Sequence, residues 1–338
     1  MLTCIFEDSF LESSRFLAYA LHTLTSIEMP LHIFGAYLII TKTPRNMKTA
    51  KYSILQLHLA CTVMDLTITS LWIFYSWIPS SSGYAVGLMS NIGVNPLFQS
   101  FLAFNTMSAV AVSYVCLFEN RYDAVVIGSI GRSENRNIYR VIYFIINIVI
   151  LETILGYIFW KVPELNQTRM AERLPCLPKE FFENPNLINI NSGDTIIPYL
   201  ALSIMCILFF QGAYFLVYTI YHLFKDTVYV SKSTRKMQQK FFISLFLQAT
   251  IPSFALAAPM YCYYILYRMD YFYQVYNNFL MIAIGCNGLL TTLVMILVHR
   301  PYRMSVLEMC GIGTKAEQLS IQAVTLWKMK ALGRVSGE

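Results

Sequence analysis

Seven long apolar stretches, joined by polar connections, constrain this chain more than any other feature of its sequence. They lie at about residues 16–40, 53–78, 97–118, 138–160, 195–224, 241–267 and 275–298. Roughly 20 apolar residues, rising 1.5 Å each, carry a helix across the hydrocarbon of a bilayer. Lipid offers backbone N–H and C=O groups no partner, so each stretch has to be helical. The expected fold is an all-α membrane bundle of seven transmembrane helices. Pro30, Pro198, Pro252 and Pro259 fall inside the stretches and predict kinks rather than ends. Charged residues make up 13% of the chain and mean hydropathy is +0.51. A soluble domain carries about a quarter charged residues, so composition points the same way.

The charges are topology signals. The connections after stretches one, three and five, with the tail, hold most of the Lys and Arg. The opposite side holds only Arg15, Lys161, Arg169, Arg173, Lys179 and Arg268. Positive residues stay inside, which places the N-terminus outside the cell and the C-terminus in the cytoplasm. The tripeptide Asn166-Gln167-Thr168, a glycosylation acceptor, falls on the side so assigned to the exterior. Residues 1–15 carry Glu7, Asp8 and Glu12 without a basic start, unlike a signal peptide. The net charge of +6 forms no basic stripe interleaved with aromatics, so no nucleic-acid partner is expected. The eight Cys show no zinc spacing, and Cys61, Cys116, Cys206, Cys262, Cys286 and Cys310 read as small packing residues. No HExxH, GxSxG or intramembrane aspartate pair occurs, so neither an enzyme nor a resident cofactor or metal is expected. No repeat or linker divides residues 1–310. A tail follows at 311–338, disordered or weakly amphipathic.

The third stretch, charge-free from Leu97 to Phe118, ends in Glu119-Asn120-Arg121-Tyr122. Charge first becomes tolerable at that membrane boundary. Positions i and i+2 diverge by about 200° on a helix, so Glu119 and Arg121 cannot pair well. A partner for Arg121 has to come from another helix or loop, and Asp226 is one candidate. Asp65 lies mid-membrane in the second stretch, with His58 seven residues earlier on the same face. Glu28 and His32 stand i, i+4 in the first stretch and read as a satisfied polar pair, as does Glu152 in the fourth. Residues 302–310 have apolar side chains at helical spacing beside Arg300 and Arg303. That suits a short interfacial helix, palmitoylated at Cys310.

The order of local motifs resembles the nematode serpentine chemoreceptors of class H. The resemblance rests on Pro30-Leu31-His32-Ile33-Phe34-Gly35-Ala36-Tyr37, Thr43-Pro44-Arg45-Asn46, Leu57-His58-Leu59 with Asp65, and Phe118–Tyr122. It continues through Leu174-Pro175-Cys176-Leu177-Pro178, Gln239-Lys240-Phe241-Phe242 with Gln248 and Pro252, Asn277-Asn278, and His299-Arg300-Pro301-Tyr302-Arg303. It covers about residues 9–308. It implies a plasma-membrane chemosensory receptor of sensory cilia that binds a small molecule, contacts lipid, and activates a heterotrimeric G protein. Glu119, Asn120, Arg121 and Tyr122 stand where rhodopsin-like receptors couple and switch. In those receptors a second-helix Asp binds sodium. For His58, Asp65 and Asn287 this leaves two readings, an ion site or packing hydrogen bonds. Rhodopsin-like receptors also tie the long outer loop to the third helix by a disulfide, but Asn91–Gln99 contains no Cys. The remaining outer thiol is Cys4, so a Cys4–Cys176 bond is expected. Ligand-pocket candidates are Gln99, Asn105, Tyr199, Ser203, Tyr261, Tyr264 and Asn277. The rival reading is a seven-helix ligand-gated channel of the insect odorant-receptor type, which requires the inverted topology.

Overall fold

A computed structural model describes residues 3–5, 9–44, 47–77, 82–127, 134–162, 184, 186–189, 196–225, 232–269 and 271–312. Its long helices are α1 (Ser14–Lys42), α2 (Lys48–Leu66), α3 (Pro96–Tyr122), α4 (Arg136–Trp160), α5 (Ile196–Phe224) and α6 (Lys232–Arg268). The seventh span is two pieces, α7 (Gln274–Gly285) and α8 (Asn287–Val298), and α9 (Arg300–Met309) follows. Seven of these segments are long and apolar enough to cross a membrane.

Local chemistry explains the helix ends. The Ser13 hydroxyl accepts from the Phe16 N–H at 3.1 Å and so caps α1. Asn95 Oδ1 accepts from Leu97 and Phe98 N–H at 2.9 and 3.2 Å, and Pro96 follows as the first helical residue of α3. The α6 helix begins nine residues before the apolar stretch, because Lys232–Lys240 are good helix formers that extend it past the membrane boundary. The second span ends earlier than its hydropathy suggests. A π turn at Thr67–Trp72 is followed by Ile73 at φ 32°, and Phe74–Trp77 is a strand rather than the helix end. A β-branched residue at positive φ is strained and persists only where packing over-determines it. Here Ile73 is fully buried.

That strand, β2, pairs antiparallel with β3 (Ser82–Ala85), and β3 with β4 (Ile188–Asn189). The three-stranded sheet lies over the bundle at the end where α1 begins. At the same end β1 (Thr3–Ile5) runs parallel to β5 (Tyr271–Tyr273), just before α7. Tyr75 Oη donates to Glu12 O at 2.6 Å, and Asn278 Nδ2 to Leu11 O at 2.7 Å. These bonds tie the N-terminal segment, the sheet and the seventh span into one cap.

Burial is lopsided. The second and seventh spans are the most enclosed, while the fourth and fifth are the least. On α4 the residues Ile138, Ile142, Ile145 and Val149 face outward, against Leu151, Leu155 and Ile158 inward. An apolar outer surface is what lipid requires and water penalises. Glu152 lies on that outward face rather than in the bundle as its sequence suggested. The α4 surface is apolar all round, so periodicity gave no reliable inner side.

Candidate functional site

Two polar constellations interrupt the apolar bundle. The first is at the C-terminal end of α3. Glu119 and Asp123 lie one turn apart there, and Arg136 and Arg140 lie one turn apart at the start of α4. Arg140 Nη2 and Nε donate to Glu119 Oε2 at 2.7 and 3.0 Å, and Arg136 Nη2 donates to Oε1 at 3.0 Å. Arg136 Nε donates to Asp123 Oδ1 at 2.9 Å, and Arg140 Nη1 to Oδ2 at 3.4 Å. Each arginine bridges both acids. Guanidinium forks match carboxylates with fixed geometry, so the clamp orients α4 on α3 as well as attracting it. Asp123, Arg136 and Arg140 were not singled out from sequence. The signal was an acid pair at i, i+4 facing an arginine pair at i, i+4 across a short connection.

The clamp holds Glu119 on the α4 side, and Arg121 turns the other way. Its guanidinium lies 4.3 Å from the centre of the Phe241 ring on α6, and its Nε has no hydrogen-bond partner among the described residues. A cation over an aromatic face gains on the order of 2 kcal/mol when desolvated. Beside it, His299 at the α8–α9 junction meets Gln248 Oε1 of α6 through Nε2 at 2.7 Å. Burial, and then the Arg121 charge, push the His299 imidazole down to about 4, so it is neutral at neutral pH. Ser244 Oγ donates to Val298 O at 3.2 Å, and Tyr302 Oη meets Thr43 Oγ1 at 2.9 Å. Tyr122 packs its ring on Phe215 of α5 at 5.4 Å. Arg121 is thus joined to α6 through Phe241, with neutral His299 of the α8–α9 junction nearby, and has no carboxylate partner among the described residues. Asp226 lies outside the described residues.

The second constellation lies mid-membrane between α1, α2 and α8. His32 Nε2 is 3.2 Å from Asp65 Oδ2, and His32 Nδ1 is 2.9 Å from Thr292 Oγ1. His58 Nε2 meets His32 O at 2.9 Å. Leu289 N–H, in the first turn of α8, donates to Glu28 Oε1 at 3.2 Å. Gly288 lies flat against the Asp65 carboxyl, where an added Cβ would overlap it. His58 and Asp65 are therefore brought together through His32, and Glu28 joins them, whereas Asn287 is buried in the same turn of α8 as Gly288 and Leu289. The signal for the extra pair was its i, i+4 spacing at matching depth. Among the described residues no three His, Cys, Asp or Glu side chains are grouped to hold a metal ion.

The described ligand-pocket candidates are not seen to meet one another. Gln99 is buried and held by Ser90 Oγ and Val94 O at 3.1 and 2.7 Å. Asn277 donates to Ser76 O of the cap at 3.4 Å. Asn105 and Ser203 bond to their own helix backbones. Tyr261 and Tyr264 are 64% and 56% exposed on the outward face of α6. That stretch is nearly continuous in apolar residues, which hid its inner face. The Tyr199 side chain, Asn166, and the Cys4 and Cys176 side chains lie outside the described residues. Cys310 is exposed, directly after α9.

Similarity to known proteins decides the family. Residues 12–312 match the family model described as the serpentine type seven-transmembrane GPCR chemoreceptor Srh. The chain belongs to the Srh family. It is also 28% identical over 306 residues to serpentine receptor class H-72 of Caenorhabditis elegans, covering 89% of this chain and 87% of that protein. A multi-pass membrane protein with a chemoreceptor role follows from this membership and the seven apolar helices. Within this Srh protein, the Arg121 constellation is at one end of the bundle and the strand cap at the other.

Proposed function

We propose that this Srh receptor binds a small molecule on the capped side of the bundle and activates a heterotrimeric G protein at the Arg121 end. The cap then faces the exterior, the C-terminus faces the cytoplasm, and the receptor works in the plasma membrane of sensory cilia. The observation that carries this reading is the placement of Arg121, a buried guanidinium stacked on Phe241 of α6 with no ionic partner among the described residues. Such a contact is weaker and less directional than an ion pair, so an outward swing of α6 breaks it cheaply. A ligand that prefers the swung arrangement would shift the population toward it.

Two experiments test the reading. An N-terminal epitope should stain on intact cells, and a glycosidase-sensitive mobility shift should vanish in Asn166→Gln. Staining only after permeabilisation would overturn the orientation. In a G-protein assay, Phe241→Ala should raise ligand-free signalling severalfold, whereas Arg121→Ala should remove the response at equal surface expression. An unchanged response in Arg121→Ala would sink the coupling role.

A further inference from the structure

Two carboxyl groups share the mid-membrane constellation, Glu28 at 1% exposure and Asp65 at 2%. The donor closest to them is the backbone N–H freed at the break between α7 and α8, a dipole rather than a full charge. This Leu289 N–H already caps Glu28. Two ionised carboxylates there would leave more than one uncompensated negative charge in an apolar interior, at a cost of several kcal/mol. At least one further positive charge has to reside at this site. Three of its oxygens or nitrogens support that count. Among the described residues Glu28 Oε2 and Asn287 Oδ1 lack hydrogen-bond partners, and His32 Nε2 meets Asp65 Oδ2 in an ion-pair contact rather than a formal hydrogen bond.

Space and field select the kind of charge. Gly288 closes one side of the Asp65 carboxyl, and the His32 ring stands against Oδ2 on another. The Leu289 N–H at the α7–α8 break points at Glu28 and offers a metal cation no oxygen. The groups facing His32 are Glu28 on its own helix, His58 and Asp65 from α2, and Thr292 from α8; Cys61 of α2 and Tyr114 of α3 stand beside Asp65, and Cys286 beside Glu28. None of them is a Lys or Arg.

We propose that this site binds one exchangeable proton, shared among Glu28, His32 and Asp65, and that the bound proton clamps α8 to α1 and α2. The inference is independent of ligand and G protein. A folded state that holds a proton more tightly than the unfolded chain loses stability as pH rises through the folded titration. His299 acts with the opposite sign. Its lowered value removes stability as pH falls from 6.5 towards about 4, and contributes nothing above that window.

The test is thermal unfolding of the full-length chain in lipid nanodiscs, followed by the fluorescence of its four Trp. The unfolding temperature should fall by about 2 °C for each unit of rising pH between about pH 6 and 9. It should be equal in sodium chloride and choline chloride of one ionic strength. Glu28→Gln and Asp65→Asn, made singly, should each flatten the slope. A saturable rise in unfolding temperature with sodium at fixed pH would assign the site to a cation and overturn the proposal. So would an absent slope, or one that survives in both variants. The salt comparison needs only the native chain, so it decides even if a variant fails to fold. Failure here leaves the receptor reading standing, because no readout involves signalling.

Discussion

Gly288→Ala should destabilise this receptor strongly, because it adds a methyl group where α8 touches α2. The new Cβ would overlap the Asp65 carboxyl, a group that cannot retreat because His32 stands against its other side. Overpacking usually costs about 1–3 kcal/mol, and here it also separates a buried polar pair, which places the loss at or above the top of that range. Surface expression and unfolding temperature should both drop. The double variant Asp65→Ala/Gly288→Ala should recover part of the loss, because the obstructing carboxyl is gone. A single variant that unfolds with the native protein would mean that α8 does not approach α2 this closely.

The second large effect is expected at the α3–α4 clamp. Arg140→Ala removes the shortest contact to Glu119, leaving a carboxylate at 2% exposure with only Arg136 beside it. Breaking one side of a buried pair costs about 3 kcal/mol, since the remaining charge stays desolvated. Arg140→Lys should recover little, because an ammonium cannot reproduce the fork that bridges Glu119 and Asp123. Adding Glu119→Gln to Arg140→Ala should restore stability relative to Arg140→Ala alone. Unfolding temperatures of these variants and of Glu119→Gln alone provide the check, and purely additive losses would show that the two groups are not coupled.

The separation of roles along α3 bears on how the bundle could switch. Glu119 and Asp123 anchor the helix to α4, whereas Arg121, between them in sequence, meets α6 through Phe241. One helix end therefore carries a firm ionic contact on one side and a soft stacking contact on the other. Movement of α6 can break the soft contact while the ionic clamp stays intact.

Sequence alone determined that the bundle is helical and where most spans lie, because a chain in lipid has no other way to satisfy its backbone. It also determined that Glu119 and Arg121 point apart, since 3.6 residues per turn forbids otherwise. Tertiary structure decided what each meets. The Arg136–Arg140 clamp depends on how α4 folds back across its connection, and the Phe241 contact on where α6 stands. The early end of the second span was illegible because Phe74–Trp77 is as apolar as a helix end, and only pairing with β3 makes it a strand. The inward faces of α4 and α6 were illegible for the same reason, as lipid-facing and core-facing residues are both apolar there. The polar residues kept their meaning. Glu28, His32, His58, Asp65 and Asn287 each had to avoid lipid, and packing brought the first four to one place.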